Sequence, residues 1–275
     1  MTRTEPWLPE DTIAAYRRDG VCRLRGLFDQ RWLDTLAVGI ERDLADPGPY
    51  VKVYTPEGGP GLYFGDLVMW RRIAEFGDFA LNSPAAAIAG QLMGADRVTF
   101  YHDHLLVKEP GTPERTPWHH DLPYFPIDGD QVCGLWLTLD LVDRATCVEF
   151  AAGSHRWGRR FAPRYFADGG DYYDDSGFDT VPDIDANRAD YQVLSWDLEP
   201  GDCIAFHALT LHGSPGNLRR PRRRAYVTRW VGDNVVYAER PGLISPDIRG
   251  HDLAPGDPLG GEMFPLVWTA PGVDV

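Results

Sequence analysis

The hydrophobic and polar positions divide the chain into a helical first part and a strand-rich second part. In the first part, apolar residues recur at the spacing of an amphipathic helix, and glycines stand where two of the helices would end. The predicted helices cover residues 9–20, 31–45 and roughly 83–94, and residues 21–28 alternate in the manner of a strand.

From residue 97 onward, β-branched and aromatic residues dominate, and turn residues separate the segments. Strands are predicted at residues 97–108, 130–142, 147–153, 202–213 and 224–232. Helices followed by a run of strands are typical of an antiparallel sandwich or barrel with helices packed on one side. The sequence therefore predicts a mainly β fold with flanking N-terminal helices.

No Ser/Gly-rich linker or long charge run divides the 275 residues, so we predict a single domain over residues 1–275. Its helical part extends to about residue 95, and its β core covers about 96–240. Within the core, residues 163–199 form a long polar insert with many aspartates and several aromatic residues. Long inserts in compact domains are often lids over a site, which is the prediction here. Its acids are interpreted as solvated loop charges.

Composition narrows the classes of partner. The formal net charge is −14, from 27 basic and 41 acidic residues, which argues against nucleic acid and anionic membranes as partners. The four cysteines form no C-x-x-C pair, so neither a disulfide scaffold nor a zinc ribbon is expected. The first twenty residues are too polar for a signal peptide, and no apolar run reaches membrane-spanning length. We expect a cytoplasmic protein that binds a small molecule, and the oligomeric state stays open.

The histidines of PWHHDLPYFP, residues 117–126, suggest a metal site. In an extended strand, His119 and Asp121 would project to one face and His120 to the other. His212, at the end of an apolar strand, is the best third ligand. Two imidazoles and one carboxylate form the facial triad of non-heme iron(II) oxygenases, which leaves positions for cosubstrate and dioxygen. The H-x-D triplet alone is equally compatible with a solvated surface turn.

An arginine-rich segment follows the distal histidine. A guanidinium binds a carboxylate through two parallel hydrogen bonds, as a 2-oxoacid cosubstrate would require. The segment contains Arg219, Arg220, Arg222, Arg223 and Arg224. In the strand that follows, Arg223 and Arg229 share one face, and the residues alone leave both as candidates.

Five ordered blocks of sequence carry a resemblance to a known family. They are HLLVKEPG (104–111), WHHDLPYFP (118–126), VCGLWLTLD (132–140), CVEFAAGSH (147–155), and LHGSPGN (211–217) followed by RRA (223–225). Together they resemble the phytanoyl-CoA dioxygenase-like family of iron(II)/2-oxoglutarate oxygenases. The resemblance covers most of the chain and implies a double-stranded β-helix, a jelly-roll-like pair of sheets.

The resemblance also implies a set of site residues. The iron ligands would be His119, Asp121 and His212. Arg223 would bind the distal carboxylate of 2-oxoglutarate, Ser214 would add a hydroxyl to the same carboxylate, and Trp136 would line the cosubstrate pocket. The sequence departs from the family pattern at His120, Ala152 and Thr146, which puts the surroundings of the metal in doubt but not its ligands.

The implied chemistry uses iron(II), 2-oxoglutarate and dioxygen to oxidise a C–H bond of a small organic molecule. Hydroxylation is the default, with desaturation, cyclisation and epimerisation left open. Halogenation is not expected, because relatives that halogenate lack the carboxylate that Asp121 provides. The family name points to an acyl-CoA substrate, but many relatives act on free small molecules of specialised metabolism, so a CoA ester is not inferred.

Four further residues are candidates for the substrate pocket: His104, His120, Tyr124 and Arg229. His102 is interpreted as a core or pocket-wall residue. Lys108 is either a pocket residue or a charge at a strand end, and the second interpretation is preferred. Two other functions compete with the oxygenase. One is a non-catalytic binding module that has kept the fold, and the other is a cupin-like metal protein that needs no 2-oxoglutarate.

Overall fold

The computed structural model describes residues 8–166, 177–219, 221–240 and 242–273. In these ranges the chain is mainly antiparallel β sheet, and its α-helices all lie before residue 94, so the predicted fold class is confirmed. The helices are α1 Glu10–Asp19, α2 Gln30–Ala45, α3 Ala74–Asn82 and α4 Ala85–Met93. None of the described helices combines the length and the apolar character needed to cross a lipid bilayer.

The strands form two facing sheets and a short two-stranded ribbon. They are β1 Val21–Leu24, β2 Lys52–Val53, β3 Tyr63–Leu67, β4 Arg97–Lys108, β5 Thr116–His119, β6 Ile127–Asp128, β7 Val132–Thr138, β8 Glu149–Ala151, β9 Val193–Leu194, β10 Cys203–His207, β11 His212–Ser214, β12 Arg223–Val231, β13 Val236–Tyr237 and β14 Leu266–Thr269. The major sheet has the order β1-β10-β7-β12-β4-β3-β2, with β14 also paired to β4, and the minor sheet has the order β5-β11-β8-β9. Strands from outside residues 96–240 therefore extend the major sheet.

The helices cover one face of the major sheet. In α2, the Asp29 side chain accepts a hydrogen bond from the Trp32 N–H and caps the first turn. Successive side chains of β12 point alternately to the helical layer and to the space between the two sheets. Tyr226 stacks on Phe76 of α3 with ring centroids 4.7 Å apart, whereas Val227 belongs to the apolar cluster between the two sheets. The space between the sheets is thereby separated from the helical layer.

The structure differs from the sequence predictions in two places that shape the site. Helix α3 was not predicted. The single strand predicted at residues 202–213 is two strands, since β10 ends at His207 and a turn carries the chain into β11 of the other sheet. In the insert, the described part contributes β9 to the edge of the minor sheet. Residues 167–176 lie outside the described residues, as does Arg220.

Buried carboxyl groups join the helical layer to the major sheet. Asp43 of α2 and Asp66 of β3 are both fully buried, and the guanidinium of Arg72 contacts them. Burial and the negative charge of Asp66 raise the pKa of Asp43. Burial also raises the pKa of Asp103, on β4, to about 7. Both groups favour the protonated form at a pH where they would be ionised in the unfolded chain.

We expect the stability that Asp43 contributes to be lost as pH rises from about 4 to about 7. A carboxyl whose pKa is raised on folding stabilises the native state fully below its unfolded pKa, and that contribution is lost as pH passes the folded pKa. The difference in melting temperature between the wild type and Asp43→Asn, which keeps an oxygen for Arg72, isolates this contribution from those of the buried histidines. Measured by circular dichroism, the wild-type value minus the variant value should fall across this range. A constant difference would show that the pKa of Asp43 is not raised on folding.

Candidate metal centre

The two sequence-predicted histidine ligands meet across a pair of strands in the minor sheet. His119 ends β5, His212 begins β11, and the two residues are direct partners in the antiparallel ladder. Their ring centroids are 4.2 Å apart. The His212 ring also lies between Phe150 and Phe206, at centroid distances of 5.6 and 4.8 Å, which restricts its orientation.

Asp121 reaches the histidines through a turn and not through a continuous strand. Its backbone is helical, with φ −75° and ψ −39°, and its N–H donates to the Ala208 carbonyl at 2.8 Å. The expectation that His119 and Asp121 share one face of an extended strand was therefore wrong. The turn still brings Asp121 Oδ1 to 3.6 Å from His119 Nε2 and 3.7 Å from His212 Nε2.

Hydrogen bonds fix the tautomer of both imidazoles. His119 Nδ1 lies 2.8 Å from the Pro117 carbonyl, and His212 Nδ1 lies 2.9 Å from the Thr210 carbonyl. A carbonyl can only accept, so each Nδ1 carries the proton and each Nε2 presents a lone pair. Burial and the neighbouring His119 lower the pKa of His212 to about 3, so its imidazole is neutral.

Arg229 binds the side of the carboxylate that the histidines leave free. Its Nε and Nη2 each lie 2.8 Å from Asp121 Oδ2. Burial disfavours the ionised carboxyl, but the charge of Arg229 outweighs it and holds the pKa of Asp121 well below its usual value. Oδ1 therefore remains available beside two imidazole lone pairs. The three ligand atoms lie within 4.8 Å of one another, a donor set that fits one divalent metal of the kind bound by two imidazoles and a carboxylate.

A small inner chamber of about 50 Å³ extends from the triad between the sheets. Trp136, Ser214 and Arg223 line it, together with His212. Arg223 donates to the Thr146 carbonyl, and its Nη2 lies 3.3 Å from Ser214 Oγ. Three residues that the resemblance assigned to the cosubstrate are thus neighbours at one end of one cavity.

The structure adds Lys108, which the sequence analysis interpreted as a charge at a strand end. That interpretation was wrong, because the side chain is only 1% exposed. Its Nζ donates to Ser214 Oγ at 3.2 Å and lies 4.2 Å from the centroid of the Tyr63 ring. Burial and the charge of Arg223 lower its pKa well below the usual value. Period-two spacing from His104 through Leu106 to Lys108 was the available signal, since all three share one face of β4.

A larger outer chamber of about 360 Å³ opens on the other side of the triad. His104, Tyr124 and Arg229, all predicted pocket residues, line it, and so does His102. Phe166 borders both chambers and packs on His119 at a centroid distance of 4.7 Å. The triad residues His119 and Asp121 also border both chambers, so the triad lies at their junction.

His120 is the predicted pocket residue that the structure does not bring to the site. It lines neither chamber, and its Nε2 accepts a hydrogen bond from the Phe161 N–H at 2.8 Å. The turn after β5 directs its ring into the protein, where it is 2% exposed. His120 therefore anchors Phe161, just before the polar insert, to the turn that carries Asp121.

Comparison with protein families agrees with this geometry. The family model described as phytanoyl-CoA dioxygenase (PhyH) matches residues 16–225, which are 210 of the 275 residues. The chain belongs to the phytanoyl-CoA dioxygenase family. The matched range contains the triad, Lys108, Ser214 and Arg223.

Curated relatives match over part of their length. A probable phytanoyl-CoA dioxygenase of Caenorhabditis elegans is 28% identical over 139 residues, which cover 49% of this chain and 43% of that protein. The peroxisomal phytanoyl-CoA dioxygenase of Homo sapiens is 26% identical over 152 residues, covering 54% and 43%. The match thus spans less than half the length of these relatives.

Solved structures resemble almost the whole chain. SnoK, a non-heme alpha-ketoglutarate-dependent carbocyclase from nogalamycin biosynthesis, gives a TM-score of 0.74 at 24% identity and covers 95% of this chain and 97% of its own. The epimerase SnoN from the same biosynthesis gives 0.73 at 22% identity, covering 94% and 98%. EctD from S. alaskensis, solved with 2-oxoglutarate and 5-hydroxyectoine, gives 0.70 at 18% identity, covering 94% and 88%. At these identities the likeness shows a shared fold.

Replacing a triad histidine should abolish tight metal binding. We expect His212→Ala to weaken the affinity for iron(II) or zinc by more than about a hundredfold, because loss of even an outer-shell partner commonly weakens metal binding 10- to 100-fold. An anaerobic titration with the metal, monitored by calorimetry, measures the change in affinity. His251→Ala is the matched control, since that ring contacts Tyr237 and Phe264 and not the triad. Equal affinities in the two variants would remove the triad as the metal site.

Proposed function

We propose that the protein is an iron(II)- and 2-oxoglutarate-dependent oxygenase that hydroxylates a C–H bond of a small organic molecule. The observation that carries the proposal is the position of a possible metal-binding triad close to buried basic side chains. Two imidazoles and one carboxylate meet where the chambers join, and two buried basic side chains lie at the inner chamber, Arg223 in its lining and Lys108 bound to Ser214. Membership of the phytanoyl-CoA dioxygenase family supports the same assignment.

The triad would hold iron(II) through His119 Nε2, His212 Nε2 and Asp121 Oδ1. Three protein ligands leave further coordination positions open, which an oxygenase needs for its cosubstrate and dioxygen. Because the triad lies at the junction of the two chambers, those positions can serve a cosubstrate on one side and a substrate on the other. Arg229 holds the unused carboxylate oxygen and so keeps Asp121 from rotating away.

The inner chamber suits a dicarboxylate. Arg223 and Lys108 are 6% and 1% exposed, and neither forms an ion pair within the part of the chain that the structure describes. Lys108 Nζ donates to the Ser214 and Thr116 hydroxyls and to the Glu114 and Pro215 carbonyls. A buried guanidinium without a carboxylate partner is costly, so Arg223 is the group that favours an anionic ligand beside it. Ser214 lies two residues after His212, so about 6.6 Å of extended chain separates the metal ligand from the hydroxyl. That separation suits a keto acid bound to the metal at one end and to Arg223, Lys108 and Ser214 at the other.

Iron(II), 2-oxoglutarate and dioxygen supply the two-electron oxidation when bound, with succinate and carbon dioxide as the products of the cosubstrate. The chain's own residues bind, orient and exclude water. Trp136 forms a wall of the inner chamber, and Phe166 covers the His119 ring from the side of the outer chamber. We also propose that residues 1–275 act as one domain, with the insert at 163–199 covering the outer chamber.

The two competing functions explain less of the site. A cupin-like metal protein without 2-oxoglutarate has no use for a pair of buried cations one strand-length from its metal. A non-catalytic module has no need of a complete triad with both tautomers fixed. The buried Arg223, with Lys108 beside Ser214, is therefore the feature that favours a 2-oxoglutarate enzyme.

Anaerobic titration with iron(II) and 2-oxoglutarate tests the assignment, with the weak visible charge-transfer band of the chelate as the signal. We expect a band in the wild type and none in His119→Ala. Arg223→Ala should raise the 2-oxoglutarate concentration at half-saturation by tenfold to a hundredfold, because a hydrogen bond to a charged group contributes about 1.5–3 kcal/mol. Lys108→Met should raise it as well, since it removes the second cation and keeps the side-chain length.

The matched control is Arg222→Met. Arg222 is an arginine of the same segment, but its guanidinium binds Glu109 and Glu41 at the surface. Its half-saturation should equal that of the wild type. A wild-type protein that binds iron but gives no band would contradict the 2-oxoglutarate assignment and favour the cupin-like alternative. Failure to bind iron would favour the non-catalytic module.

A further inference from the structure

Three buried polar atoms beside the outer chamber lack a hydrogen-bond partner among the described residues. They are His102 Nε2, His104 Nε2 and Arg229 Nη1. All three side chains line the chamber and are at least nine-tenths buried. None of these atoms is open to bulk water, so water does not compensate for the missing partners. A buried donor or acceptor without a partner is costly, and such atoms are rare in native proteins unless a ligand completes them.

His102 and Arg229 are close neighbours by strand pairing. They are direct partners in the β4–β12 ladder, and directly opposed side chains on one sheet face have Cβ atoms about 4.5–5.5 Å apart. His104 follows two residues later on the same face of β4. Since Arg229 also binds Asp121, a ligand group that reaches Arg229 Nη1 lies beside the metal centre.

The tautomer of His102 decides what that group is. Its Nδ1 lies 3.2 Å from the Asp103 carbonyl and must donate to it, so the neutral ring presents a lone pair at Nε2. This lone pair requires a donor from the ligand. A carboxylate or phosphate has no proton to give and would be repelled by the lone pair.

The charge of Arg229 excludes the other common donor. An ammonium group could donate to His102, but it would lie beside a buried guanidinium, where like charges repel strongly at low dielectric. Among the described residues that line the outer chamber, the sole acid is Asp121, which Arg229 and the metal would share. A hydroxyl meets every condition, because it donates to His102 Nε2 while its oxygen accepts from Arg229 Nη1.

The other residues that line the outer chamber indicate the chemical nature of the rest of the ligand molecule. Phe125 and Phe166 provide aromatic walls, and Val53 and Leu67 add apolar surface. About 360 Å³ is within the range of cavities that bind small organic ligands. The aromatic walls favour a ring-containing body, and Lys52 and Ser245 add polar groups elsewhere in the lining.

We propose that the substrate is a ring-containing alcohol whose hydroxyl binds between His102 Nε2 and Arg229 Nη1. The inference rests on the proposed oxygenase function, because it assigns the outer chamber to the substrate. His102 is then a specificity-determining residue that selects a hydroxyl and positions it next to the oxidising centre. His104 Nε2 offers a second polar contact two residues further along the same strand face.

A matched set of probes tests the selection: 2-indanol, indane-2-carboxylate, 2-indanylammonium and indane. They share one ring body and differ in the polar group. Each is titrated by ligand-observed NMR into protein loaded with zinc and 2-oxoglutarate, which cannot turn over. We expect 2-indanol to bind about tenfold more tightly than each of the other three, the size of one well-formed hydrogen bond.

Variants of residues in the outer chamber test whether His102 is responsible for the preference for 2-indanol. His102→Phe keeps the aromatic shape and removes the lone pair, so the preference for 2-indanol over indane should fall below about threefold. His102→Gln can still accept a hydrogen bond and should retain most of it, which separates recognition from folding. Leu67→Ala, an apolar change in the same chamber, should weaken all four probes alike. The inference fails if the carboxylate or ammonium probe binds most tightly, or if His102→Phe keeps the full preference.

The same titrations without zinc and 2-oxoglutarate separate the two proposals. A hydroxyl preference that depends on His102 in a protein that does not bind 2-oxoglutarate would leave the recognition site standing and overturn the oxygenase. Binding of 2-oxoglutarate without a hydroxyl preference would have the opposite meaning.

Discussion

The ion pair between Arg229 and Asp121 connects the two sheets at the point where the candidate chemistry lies. Arg229 belongs to the middle of the major sheet, and Asp121 belongs to the turn that follows a strand of the minor sheet. A buried pair of this kind adds little net stability, because desolvation offsets most of the Coulomb attraction. Its effect is geometric. By occupying Oδ2 with two donors, Arg229 leaves Oδ1 facing the two imidazoles and fixes the third ligand without the help of a metal.

The side chains on one face of β12 place two arginines at opposite ends of the cavity, with apolar residues between them. Arg229 neutralises the carboxylate at the triad, apolar residues Ala225 and Val227 follow on the same face, and Arg223 ends the row beside Lys108. At the Arg223 end a buried guanidinium has no carboxylate partner among the described residues, whereas at the triad end Arg229 is paired with Asp121. A dicarboxylate with one end at a metal held by the triad would supply the missing partner. This arrangement of charge, more than the size of the inner chamber, supports the proposed cosubstrate.

The helical layer covers one face of the major sheet with apolar contacts, and the other face carries polar side chains into the space between the two sheets. Tyr226 and Trp230 of β12 pack among the helix residues, so the opposite face of the same strand is free to carry arginines into the space between the sheets. Asp103 is a polar exception on the helical face of the sheet. It lies on the helical face of β4, accepts a hydrogen bond from Tyr226, and has a pKa raised by burial, whereas the neighbouring His102 and His104 face the site.

Local pattern determined a large part of this protein. Periodicity predicted α1, α2, α4 and the long strands, because those segments carry their own apolar stripe or alternation. The order of the blocks predicted the family, and hence the triad, Arg223, Ser214 and Trp136 as neighbours. Helix α3 was missed because it lacks the end signals that marked α4: Ile73 precedes it without a side-chain cap, and Gly77 lies inside it.

Tertiary structure decided what depends on crossing between sheets. The break of one apolar run into β10 and β11 puts His212 opposite His119, and the turn at Asp121 brings the carboxylate between them. Strand pairing distinguished the two arginines that the residues alone left equal, since Arg229 lies at the triad and Arg223 at the closed end. It also buried Lys108 and turned His120 away. A sequence gives the face of a strand on which a side chain stands, but only the packing of a second sheet determines what that face meets.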